Sequence, residues 1–139
     1  MKKVVFICKG NMFRSQIAKA FYNQLKNDDS FAVSYGTWVE KEEGQGIKLS
    51  SYPSLEIEID KLKKYNLDIS EEFRNQLKEE YLRDADKIVV MAEREYIPDW
   101  LDKYKYEYWG GISNPEFHTD QIVEEVIKLL REKVLLLIN

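Results

Sequence analysis

The run Lys3-Val4-Val5-Phe6-Ile7-Cys8-Lys9-Gly10-Asn11-Met12-Phe13-Arg14-Ser15-Gln16-Ile17-Ala18 changes its period half-way along. Val4-Val5-Phe6-Ile7 is apolar and rich in β-branched side chains, the pattern of a parallel strand buried on both faces. Gly10 and Asn11 interrupt it. From Ser15 onward Ile17, Ala18, Phe21, Tyr22 and Leu25 recur at helical spacing, which predicts a helix to about Lys26. The turn cluster Asn27-Asp28-Asp29-Ser30 follows, then a short strand Phe31-Ala32-Val33-Ser34 closed by Gly36.

Further along, residues 38–53 are irregular and read as a long loop, a class that often carries function. Its acidic run Glu40-Lys41-Glu42-Glu43 reads as a solvated face. Helical spacing returns over about 54–65 and, broken, over about 70–84. Lys87-Ile88-Val89-Val90-Met91 reads as a third buried strand. Residues 93–101 read as a short helix interrupted by Pro98. Tyr104, Tyr106 and Tyr108 alternate with charged residues, which predicts an edge strand with its aromatics on one face. Gly110-Gly111 ends it. Residues 112–119 form a loop, and a last helix, with Thr119 as its N-cap, runs to about Leu137 on a stripe of Ile122, Val123, Val126, Ile127, Leu130 and Val134.

Strands alternating with helices specify a parallel α/β sheet. The expected architecture is a flavodoxin-like three-layer sandwich: one domain over 1–139, a four-stranded parallel sheet, and helices on both faces. Ligands in such folds bind beyond the carboxyl ends of the strands, where the strand order reverses. The loop from Cys8 to Ser15 lands there.

Composition narrows the function classes. The chain has 139 residues, within the roughly 100–200 of one domain. With 21 Lys and Arg against 25 Asp and Glu, the net charge of −4 argues against a nucleic-acid partner. No apolar run approaches the ~20 residues of a membrane span, and the one after Lys2 and Lys3 is too short for a signal peptide. One Cys excludes an intramolecular disulfide, and one Cys with one His makes a poor zinc site. No cofactor or metal is expected, and the setting expected is cytoplasmic.

Cys8-Lys9-Gly10-Asn11-Met12-Phe13-Arg14-Ser15 is a Cys, five residues, then Arg and Ser, between a strand and a helix. Five intervening residues can wrap into a ring whose backbone N–H groups point inward, an anion nest completed by the positive end of the following helix. Gly10 gives the ring freedom to turn. Arg14 offers a planar fork for two oxygens of a phosphate. The same field favours thiolate over thiol at Cys8. A thiolate facing a cradled phosphorus can attack it and form a phospho-cysteine. Ser15 lies where its hydroxyl can stabilise that thiolate.

This segment resembles the low-molecular-weight protein tyrosine phosphatases. The resemblance continues at Ser34-Tyr35-Gly36-Thr37, at Asp84-Ala85-Asp86-Lys87-Ile88-Val89-Val90-Met91 and at Asn114-Pro115. It implies that Cys8 is the nucleophile and that Arg14 binds the phosphoryl group. It implies that Asn11, Ser15 and Ser34 form a network holding the loop, and that Trp38 and Phe117 wall a substrate cleft. Lys9, Gly10, Asn11, Met12 and Phe13 become the phosphate-binding ring. Three positions depart from the family pattern. Asn114 stands where an Asp serves as general acid, Phe13 where a second Cys is frequent, and Lys9 where an apolar residue is usual.

Around the late loop, His118 reads either as a surface residue or as a substitute proton donor. Glu116 and Asp120 are further carboxylates near the missing acid. Lys9 reads as an exposed side chain that favours anionic substrates. Three functions compete. The first is hydrolysis of phosphate monoesters, above all phosphotyrosine on protein or a small aryl phosphate, since tyrosine is a good leaving group with a pKa of about 10. Met12 stands where the related arginine phosphatases carry Thr, which disfavours that subclass. The second is arsenate reduction with an external thiol, because the thioredoxin-coupled relatives need further cysteines. The third is a domain that holds a phosphorylated ligand and turns it over negligibly.

Overall fold

β1 (Lys3–Cys8) is an inner strand, and Val4 to Cys8 are all buried. The computed structural model describes residues 2–113 and 119–138. β2 (Phe31–Gly36) pairs with one side of β1, and β3 (Lys87–Val90) with the other. β4 (Glu107–Tyr108) completes a fully parallel sheet in the order β2-β1-β3-β4. This is the expected four-stranded α/β architecture.

Strand alternation divides the core. Val4, Phe6 and Cys8 face a layer built from α1 (Arg14–Leu25), α2 (Glu56–Leu62) and α3 (Asp120–Ile138). Ile17 and Phe21 of α1 and Val123, Leu130 and Val134 of α3 are fully buried there. A fully buried side chain of this size contributes about 1.5–3 kcal/mol. Thr119 caps α3 by accepting the Ile122 N–H at 3.3 Å. Val5 and Ile7 face the opposite side with Ile88 and Val90. That face is covered by Leu77, Leu82 and Leu101, carried on short 3₁₀ turns (Glu79–Leu82 and Asp99–Lys103) and the segments beside them.

Three local expectations need correction. Residues 70–78 are not helical. Their backbone groups bond to distant segments instead: Arg74 N to Ile47 O at 3.0 Å, Gly36 N to Asn75 O at 2.9 Å, and Leu77 N to Gly36 O at 2.8 Å. Residues 93–101 hold two 3₁₀ turns split at Pro98, which has no N–H to continue a helix. The edge strand is confined to Glu107–Tyr108, although Tyr104, Tyr106 and Tyr108 do pack against one core cluster.

The edge of the sheet carries a pH-dependent tie. The Trp109 indole N–H donates to the Glu107 carboxylate, and Lys87 pairs with it at 3.0 Å. Together they hold Glu107 below its ordinary value of 4.5. A depressed carboxyl stabilises the fold above that value, and the effect is lost as pH falls through the folded-state pKa. Glu107→Gln is therefore expected to cost about 0.5 kcal/mol at neutral pH, discounted for exposure. The deficit in the thermal midpoint should close in acid, below the ordinary carboxylate range.

Candidate active site

The strand order reverses at β1, with β2 on one side and β3 on the other, so Cys8 sits at the expected ligand position. The ends of β1 and β2 run in register, Cys8 beside Gly36. The chain beyond β2 then follows the start of the loop, Thr37 N–H bonding Cys8 O and Trp38 N–H bonding Lys9 O, each at 2.9 Å. Gly36 makes this approach possible. A β-carbon there would lie 2.7 Å from Lys9 O and 2.8 Å from Asn11 N.

Within the loop, the left-handed residue is Asn11, with φ of 52°, and not Gly10. A β-carbon on Gly10 would meet the Glu42 carboxylate at 3.3 Å, a tight contact with the end of a flexible side chain. Asn tolerates the left-handed region better than most residues, and here its side chain is fully bonded. Its Oδ1 accepts from Asn75 N–H at 2.8 Å and from Gln16 Nε2 at 3.2 Å. Its Nδ2 donates to Ser15 Oγ at 2.8 Å and Ser34 Oγ at 3.0 Å.

This network ends on sulfur. Cys8 Sγ lies 3.2 Å from Asn11 N and 3.0 Å from Ser15 Oγ. Ser15 Oγ accepts from Asn11 Nδ2 and keeps its own hydrogen available for a thiolate at Cys8. The first turn of α1, which begins beside this loop, has neither a side-chain cap nor an acidic residue, so its N–H groups add a positive field there.

Arg14 is 2% exposed and held at the carboxyl end of the sheet. Its Nη1 donates to Met91 O at 2.8 Å and Ile112 O at 3.3 Å, and its Nη2 to Glu93 Oε1 at 3.0 Å. Its Nε is buried without a hydrogen-bond partner among the described residues. A buried donor left unsatisfied costs about 1–3 kcal/mol, which an oxyanion at this position would restore. Within that set, three of the five guanidinium N–H groups are taken, so the Nε hydrogen and the second hydrogen on Nη2 remain for two oxygens of an anion.

Other candidates fall differently. Trp38 forms an aromatic wall with Tyr96, their rings 4.7 Å apart and nearly perpendicular. Lys9 is not free in solvent: its ammonium lies 4.2 Å over Tyr96 and 3.7 Å from Glu42. Met12 is partly buried against the core, and Phe13 is 3% exposed within it, so Phe13 lends the loop only its backbone. Glu42 is not merely solvated, because it also pairs with the buried Arg74 at 2.6 Å. Asn114, Glu116, Phe117 and His118 lie outside the described residues. Among those described, no cluster of His, Cys, Asp and Glu could hold a metal, and no helix is long and apolar enough to cross a membrane. A hollow of about 640 Å³ lined by Lys87 and Glu107 opens at the amino ends of β3 and β4, away from Cys8.

A sequence profile described as "Low molecular weight phosphotyrosine protein phosphatase" matches residues 3–135. The chain belongs to this family. It is similar to an arsenate reductase 1 of Staphylococcus saprophyticus, 27% identical over 136 residues, which covers 95% of each chain. Among solved structures, the low molecular weight protein tyrosine phosphatase of T. tengcongensis matches with a TM-score of 0.79 at 24% identity, covering 99% of this chain and 98% of that one. Wzb of Vibrio vulnificus, in complex with benzylphosphonate, matches with a TM-score of 0.81 at 20% identity, covering 99% and 97%. At these identities the structural likeness is one of fold.

Several residues of this phosphatase-family site escape sequence reasoning. Gln16, Glu42, Arg74, Asn75, Glu93 and Tyr96 reach it from four separate segments. Gly36 alone had a usable signal, a glycine closing a strand beside a recognised motif.

Proposed function

We propose that this member of the family hydrolyses phosphate monoesters, with phosphotyrosine on protein or a small aryl phosphate as substrate. The observation that carries the reading is the sulfur of Cys8, in hydrogen-bond contact with Asn11 N–H and the Ser15 hydroxyl within the loop that joins β1 to α1. In this reading the ring amides and Arg14 Nε hold the phosphoryl oxygens. Sγ attacks phosphorus, the P–O bond breaks, and its electron pair leaves on the aryl oxygen. Water then cleaves the P–S bond, returning phosphate and thiolate. Ser34 keeps Asn11 in place. Trp38 and Tyr96, with Phe117, wall the aryl group. Asn114 orients the ester oxygen without protonating it. Benzylphosphonate on Wzb pairs an aromatic ring with a tetrahedral anion, in keeping with an aryl substrate. A lone thiol fits a reducing, cytoplasmic setting.

The arsenate reductase relative favours a second reading, in which Cys8 attacks arsenate. With no second cysteine in the chain, the electrons would come from an external thiol such as glutathione. Parallel assays separate the two. The expected result is release of nitrophenol from an activated aryl phosphate, with no arsenate-dependent consumption of glutathione or mycothiol. Thiol consumption with arsenate, and no ester turnover, would reverse the assignment.

A further inference from the structure

Among the described residues, the Gly10–Asn11 peptide is held at both ends. Its N–H points at Cys8 Sγ at 3.2 Å, and its C=O accepts from Arg74 Nε at 2.9 Å. A peptide is planar, so fixing the carbonyl fixes the direction of the N–H. Losing the partner on the carbonyl removes one of the two bonds on this peptide and loosens the aim of its N–H at the sulfur. Arg74 is 64 residues further along the chain and outside the recognised motif.

We propose that Arg74 is a positioning residue that aims the Gly10–Asn11 N–H at the nucleophile. The reading rests on the role of Cys8 given above. Arg74 is 3% exposed, and each of its three nitrogens has a partner. Nη1 donates to Tyr52 Oη at 2.9 Å and Nη2 to Glu42 Oε1 at 2.6 Å. A guanidinium with donors in a rigid fork suits this three-way junction; a lysine ammonium would not span it. The backbone of Arg74 is equally fixed, its N–H bonded to Ile47 O and its C=O to Gly46 N–H. Its neighbours grip the same loop: Phe73 O takes Gln16 Nε2, and Asn75 N–H takes Asn11 Oδ1. The non-helical course of residues 70–78 thus has a purpose, since three consecutive residues support the ring from behind.

Gly44 supplies independent support. A β-carbon there would fall on the Arg74 guanidinium, and the φ of Gly44 is not in the left-handed region. The three atoms nearest that β-carbon all belong to the Arg74 guanidinium, so an alanine there must displace it. Through Glu42 the junction also reaches Lys9 and the Trp38–Tyr96 wall, which couples the wall of the cleft to the sulfur.

The test compares the wild type with Arg74→Met and Gly44→Ala in two assays. One is turnover of p-nitrophenyl phosphate, and the other is alkylation of Cys8 by iodoacetamide, a neutral reagent that needs no anion site. In Arg74→Met, kcat and the alkylation rate are both expected to fall by about tenfold or more, the size of one hydrogen bond to a charged group. KM should stay within about twofold, because the other ring amides and Arg14 remain. Gly44→Ala should act in the same direction. A folded Arg74→Met with wild-type kcat and alkylation rate overturns the proposal, as does a raised KM at unchanged kcat. If Arg74→Met fails to fold, Gly44→Ala decides: slowed alkylation supports the proposal, and wild-type alkylation overturns it. A wild type without turnover, whose alkylation still depends on Arg74, would sink the phosphatase reading and leave this one standing.

Discussion

Cys8→Ser is expected to lose all turnover of an activated aryl phosphate while keeping its fold and its affinity for phosphate. The substitution replaces one atom, and an oxygen at this position can still accept from Asn11 N–H and meet the Ser15 hydroxyl. The ring, Arg14 and the start of α1 are untouched. Nucleophilicity is lost, because a serine hydroxyl needs an adjacent base to ionise. Within this network the sulfur's partners are Asn11 N–H and Ser15, neither of which is a base. The measurement is the initial rate beside the thermal midpoint with and without phosphate. A rate within about tenfold of wild type, a barrier change of only about 1.4 kcal/mol, would remove Cys8 from the chemistry.

The second large effect runs upward. Asn114→Asp is expected to raise turnover of phosphotyrosine and to flatten the dependence of rate on leaving-group pKa. A general acid contributes about 10²–10⁴ in rate, or about 3–5 kcal/mol at 1.36 kcal/mol per decade. Its work is to protonate the departing oxygen, so the wild type should handle nitrophenyl esters well and phosphoserine poorly. The check is a series of aryl phosphates of graded leaving-group pKa, run on both proteins. No change in Asn114→Asp, with activity lost in His118→Ala, Glu116→Gln or Asp120→Asn, would transfer the proton donor to that residue. The Asp120 carboxylate is 74% exposed in its side chain and lies 3.8 Å from Lys61, at the start of α3.

The parts legible in the sequence are those in which one stretch of chain carries both pattern and partners. β1 and α1 show their periods openly, and the ring from Cys8 to Ser15 is contiguous, so its Cys, Asn, Arg and Ser can be assigned together. Ser34 is reachable because β2 lies next to β1 in register. Residues 70–78 are misread as helix because their hydrogen bonds go to Gly36 and Ile47, and local spacing carries no trace of such partners. Arg74 and Glu42 stay hidden for the same reason. A charged residue in a polar stretch looks solvated until a fold brings its counter-ion within 2.6 Å. Gly10 serves the loop in a different way from the one its residue type suggests. The left-handed backbone belongs to Asn11, and the glycine lies close beside that ion pair.

Phe13 has a consequence for the life of the enzyme under oxidants. It fills core space within the loop, next to Arg14, and Cys8 is the one cysteine of the chain. Peroxide converts a thiolate to a sulfenic acid, which is rescued by condensing with a neighbouring thiol. Here the chain supplies no such thiol, so the sulfenic acid meets a thiol from solution, closes on a backbone nitrogen as a sulfenamide, or advances to the irreversible sulfinic acid. Survival of the activity then depends on the free-thiol supply of the cell, and each molecule that reaches the sulfinic acid is spent.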